Sequence, residues 1–71
     1  MKKYAVSYIN FFNNELTTEI VEAETIKEAV AKHSKISSDG HILEYMQNCK
    51  DLDEIQTKFF DTDCMVSVIA I

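Results

Sequence analysis

His33, His41, Cys49 and Cys64 are the side chains best suited by type to bind a metal or act as a nucleophile. Their order argues against both roles. No Cys-x-x-Cys or His-x-x-x-His pair is present, so no compact half-site for zinc is written into the chain. A cysteine–histidine pair would also need an orienting group and an oxyanion site, and nothing in the order of residues brings these together. Asp61-Thr62-Asp63 offers two carboxylates, yet no calcium-loop spacing surrounds it, and a turn explains it. The chain has one glycine, Gly40, no proline and no arginine. A phosphate cradle needs glycines, and bidentate phosphate recognition is chiefly an arginine task. The expectation is a nonenzymatic protein with no catalytic residue, no metal and no cofactor.

Charge is the stronger signal. Twelve acidic residues face seven lysines, for a net charge of −5 among 71 residues. That balance disfavours direct contact with nucleic acid or anionic lipid and favours a basic protein partner. Ten of the acids fall in two groups: Glu15, Glu19, Glu22, Glu24 and Glu28, then Asp51, Asp53, Glu54, Asp61 and Asp63. Clusters of this kind imitate a phosphate backbone before a nucleic-acid-binding protein, although a charge run also serves simply as a solvated face. The second group is taken as the candidate acidic contact.

The elements that must hold these residues read clearly. Lys3 to Phe12 is rich in Tyr, Val, Ile and Phe, which favour strands. Asn13-Asn14 suits a two-residue hairpin turn, and Glu15 to Ala23 forms the second strand. Thr25-Ile26-Lys27-Glu28 has the capping-box pattern and opens a helix with the stripe Ile26, Ala29, Val30 and His33. Ser37-Ser38-Asp39-Gly40 reads as a loop, with Asp39 capping a second helix whose stripe is Ile42, Tyr45, Met46 and Cys49. Asp51 with Glu54 marks a further helix start, followed by Leu52, Ile55 and Phe59. One continuous bent helix between His41 and Phe60 remains open, since no Gly or Pro lies between them. Cys64 to Ile71 closes the chain as a strand. The predicted fold is a single α+β domain of two layers. Its three-stranded antiparallel sheet has order 2-1-3, with two or three helices on one face.

A two-residue turn pairs Phe11 with Leu16, Ile9 with Thr18 and Ser7 with Ile20. Tyr4, Val6, Tyr8, Val21 and Ala23 then share the face that the helices cover. Ile9, Phe11, Leu16 and Ile20 fall on the opposite face, together with alternate residues of the last strand. Nothing else in two layers covers them, unless a loop or the chain end folds across or the register slips by one. Contiguous apolar surface of this kind marks a contact, and the simplest is a homodimer with two sheets face to face.

Met1-Lys2-Lys3 leads into a strand-like segment, with no secretory apolar core and no run of membrane-spanning length. A cytoplasmic protein with two reduced, buried thiols is expected. The segment Val21 to Val30 resembles the strand-to-helix junction of many small domains. Small size, acidity, the lone domain and the lack of arginine together resemble small phage-encoded inhibitors of host defence, anti-CRISPR proteins among them. That resemblance implies stoichiometric blocking of a host protein in the host cytoplasm, and it assigns no site residue. The competing reading is a small accessory subunit whose apolar face is an obligate interface.

Overall fold

Alternating burial along the first strand sets the architecture. In the computed structural model, which describes residues 1–71, Tyr4, Val6 and Tyr8 are buried while the residues between them face outward. This first strand, β1 (Lys2–Asn10), lies between β2 (Glu15–Ala23) and β3 (Cys64–Ala70) in an antiparallel sheet of order β2-β1-β3. Four helices connect β2 to β3: α1 (Ile26–Lys32), α2 (Ser34–Ser37), α3 (Gly40–Gln47) and α4 (Leu52–Asp61). The α+β fold and the strand order are those read from the sequence. The stretch from 41 to 60 holds two helices, because the backbone leaves helical geometry at Asp51, which is fully extended.

Side-chain caps place the helix starts. Thr25 accepts the Glu28 amide, Asp39 accepts the amides of His41 and Ile42, and Asp51 accepts the Glu54 amide. At Thr25 and Asp51 an acidic partner reaches back one residue beyond the cap: Glu28 to the Glu24 amide and Glu54 to the Lys50 amide. The expected loop at residues 37–40 is shorter than its composition suggests. Ser37 ends α2 and Gly40 begins α3, with Ser38-Asp39 between them.

The hairpin differs from the sequence expectation. Ile9 pairs with Leu16, Ser7 with Thr18 and Ala5 with Ile20, two residues out of the anticipated register. The connection is the four-residue segment Phe11–Asn14. The Asn10 side-chain oxygen accepts the amides of Phe12 and Asn13, which pulls Phe11 and Phe12 out of the strand. Asn14 takes the left-handed conformation, with φ of 55°. A slip of two preserves alternation, so every residue that remains in the two strands keeps its predicted face, and Phe11, now in the turn, is the exception.

The core lies between the sheet and the helices. Val6, Val66, Ala29, Val30, Ile36 and Ile55 are fully buried, and Phe59 sits edge-on to Tyr8 with ring centroids 6.1 Å apart. Two residues assigned to buried stripes are instead partly exposed: Ile26 at 39% and Tyr45 at 44%. Both lie at the margin of short helices, where the apolar stripe is wider than the surface it covers. No helix is long and apolar enough to cross a membrane.

Candidate interaction surface

The outer face of the sheet is built in rows. Ile20, Ala5 and Ile69 lie side by side across the three strands, then Thr18, Ser7 and Ser67, then Leu16, Ile9 and Met65. Two apolar rows thus flank one row of hydroxyls, and the Ser7 and Thr18 hydroxyls hydrogen-bond at 2.9 Å. Lys3, paired with Glu22, bounds one end. Phe11 bounds the other, its amide donating to the Asp63 carbonyl at 2.9 Å. Although 27% of residues are charged, these three rows contain no charge.

Of the four residues expected on this face, Ile9, Leu16 and Ile20 lie in its rows, whereas Phe11 lies in the turn just beyond the end of β1. Ile20 is 60% exposed, Leu16 66% and Phe11 55%, while Ile9 is half-buried between its row neighbours. Ile69 at 67% and Ile71 at 71% complete the surface. Their alternation in the final strand was visible, but an all-apolar strand does not disclose which set points outward. No element of the chain covers this face.

The acidic residues separate into those engaged within the fold and those free of it. Glu15 pairs with Lys35 at 3.3 Å and Glu28 with Lys32 at 3.4 Å. Glu19 accepts both the hydroxyl and the amide of Ser34, and those bonds hold its carboxyl below the usual glutamate range. In the second group, Asp51 caps α4 and Glu54 holds the Lys50 amide at 2.6 Å. Asp53, Asp61 and Asp63 form no ion pair. The five therefore do not make one cluster. Asp51, Asp53 and Glu54 start α4, whereas Asp61 ends it and Asp63 lies in the following turn with φ of 59°.

The residues capable of chemistry are bound into the fold. His33 is fully buried and caps α2: its Nδ1 accepts the Lys35 amide at 3.2 Å. Nε2 must then carry the proton, which it directs between the Thr17 hydroxyl oxygen at 3.2 Å and the Thr17 carbonyl at 3.3 Å. Cys64 is buried with its thiol 3.3 Å from the Tyr8 hydroxyl. Burial and that hydrogen bond push the Tyr8 phenol up to about 12, so it remains protonated at neutral pH. Cys49 is buried and donates its thiol to the Tyr45 carbonyl. His41 is exposed in the first turn of α3, and no three His, Cys, Asp or Glu side chains converge to hold a metal.

No protein-family profile, curated protein or solved structure matches this chain.

Proposed function

We propose that this is a nonenzymatic binding protein that pairs with a second copy through the open sheet face and holds or blocks a protein partner. One observation carries the reading: three uncharged rows lie open on a chain of high negative charge. Exposed apolar patches of several hundred Å2 are uncommon on lone monomers and mark contacts. The rows are also complementary to themselves. A two-fold axis along the hydroxyl row lays Ile20–Ala5–Ile69 over the partner's third row and hydroxyls over hydroxyls. Ile9 then projects into the hollow above Ala5, as interdigitating sheets packed about 10 Å apart require.

The narrower reading is that the dimer acts as an inhibitor in the cytoplasm, blocking a basic nucleic-acid-binding protein by stoichiometric contact, as a phage-encoded inhibitor would. Small size, net charge and the free carboxylates of Asp53, Asp61 and Asp63 support it. Light scattering tests the dimer. Wild type should have twice the chain mass, and Phe11→Asp with Ile20→Lys should give a folded monomer. A wild type that is monomeric at high micromolar concentration would remove the face from the proposal.

A further inference from the structure

The two edges of the sheet are protected very differently. Along β2 stand Glu15, Glu19 and Glu22, and the Lys32 ammonium caps the outward Glu22 carbonyl at 2.6 Å. Charged side chains of this sort keep an edge from recruiting another strand. The β3 edge, Cys64-Met65-Val66-Ser67-Val68-Ile69-Ala70, has no charge, glycine or proline.

Its backbone direction follows from two bonds. The Phe11 amide donates to the Asp63 carbonyl, and the Ile71 amide donates to the Lys3 carbonyl. Antiparallel pairs alternate, so Met65, Ser67 and Ile69 bond to β1. Cys64, Val66, Val68 and Ala70 therefore direct their amides and carbonyls away from the sheet. One outward group, the Val66 carbonyl, accepts the Gln56 side-chain amide at 2.8 Å.

Beside this edge runs a groove of about 530 Å3 between α4 and β3. Asp53 and Asp61 line it, with Thr57, Phe60 and Met65 between them. Phe60 is 62% exposed. The two carboxylates are eight residues apart on α4, or about 12 Å along its axis. An extended chain covers that distance in about four residues, and residues four apart share one face of a strand.

We infer that β3 accepts, as a fourth strand, an extended segment of a partner protein with lysine or arginine at two positions four residues apart, alternating with apolar residues. The basic side chains turn towards Asp53 and Asp61, and the apolar ones prolong the uncharged rows of the open face. Gln56 withdraws from Val66 as the strand enters. Main-chain bonds supply affinity and the alternating side chains supply selection, as in other strand additions. The inference takes up the partner half of the proposed function. It does not depend on the face-to-face dimer, which is read separately by light scattering.

The probe is a fluorescein-labelled nonapeptide with lysines third and seventh, alternating with valine and threonine, titrated by anisotropy. It should bind, and the same peptide with both lysines replaced by glutamate should not. Asp53→Asn with Asp61→Asn should weaken binding about tenfold, equivalent to about 1.4 kcal/mol. Val68→Pro removes an outward amide that the sheet's own ladder does not use, and it should abolish binding while the circular dichroism spectrum persists. N-methylation of one alternate set of peptide amides should have the same effect with the protein unaltered. Absence of binding at about 1 mM peptide, a Kd too weak for recognition, would overturn the inference. So would binding indifferent to N-methylation or to the charge of the peptide. Loss of oligomer mass in Val68→Pro without peptide binding would assign the edge to a second copy instead.

Discussion

At the scale of single residues, two ionisable side chains connect the fold to pH in opposite directions. Glu19 has a depressed folded-state pKa, caused first by the Ser34 hydroxyl, then by the Ser34 amide. Its contribution is therefore present above the unfolded glutamate value of about 4.3 and is lost as pH falls below it. Glu19→Gln should flatten the loss of stability on acidification, measured by urea melts between about pH 5 and pH 3. Tyr8 is raised to about 12 by burial and by the Cys64 thiol, so its contribution is complete below about 10 and disappears as pH rises through 12. Tyr8→Phe should make the alkaline limb of the same measurement shallower. An unchanged limb would mean that Tyr8 is already ionisable in the fold. His33 was legible from sequence as a helix-face residue, but its role as cap of α2 was not. The capping signal is read from Ser, Thr, Asp and Asn, and an imidazole accepting an amide falls outside it.

The elements show how local hydrogen bonds compete with propensity. Phe11 and Phe12 are strong strand formers, so the sequence favours a strand reaching to Phe12 and a turn at Asn13-Asn14. Asn10 prevails by holding the amides of Phe12 and Asn13. Asn10→Ala should cost about 1 kcal/mol in chemical denaturation, the ordinary net value of such bonds. It should also broaden the amide resonances of residues 11–14 relative to the rest of the sheet. An undisturbed loop would show that Asn14, with its left-handed backbone, suffices to fix the turn. The faces were readable despite the missed register because the error was two residues, which alternation tolerates. The helix starts at Thr25, Asp39 and Asp51 were readable because each begins with an oxygen acceptor in the required place. The break between α1 and α2 was not, since the extended backbone at His33 interrupts an otherwise regular stripe. The second acidic group was legible as composition alone. Its division into capping and free carboxylates depends on where α4 begins and ends.

For the whole molecule, charge and apolar surface act against each other. Each copy carries a net charge of −5, so two copies approaching face to face repel even though the open face itself is uncharged. With dimensions of 32 × 24 × 20 Å, the molecule is comparable to the Debye length of about 30 Å at 10 mM salt. Nearly all charges then act across the interface. At about 1 M the screening length falls to about 3 Å and the repulsion is largely removed, while apolar attraction persists. Dimerisation should therefore strengthen from low to high sodium chloride, by several-fold in the dissociation constant from sedimentation equilibrium. Lowering the pH towards the isoelectric point near 4.8 should act in the same direction until Glu19 begins to protonate. Binding of a basic strand to the β3 edge has the opposite salt dependence, because screening weakens its attraction to Asp53 and Asp61. A dimer that instead loosens with added salt would place opposite charges in the contact. The uncharged rows of the open face would then not be the surface that joins the copies.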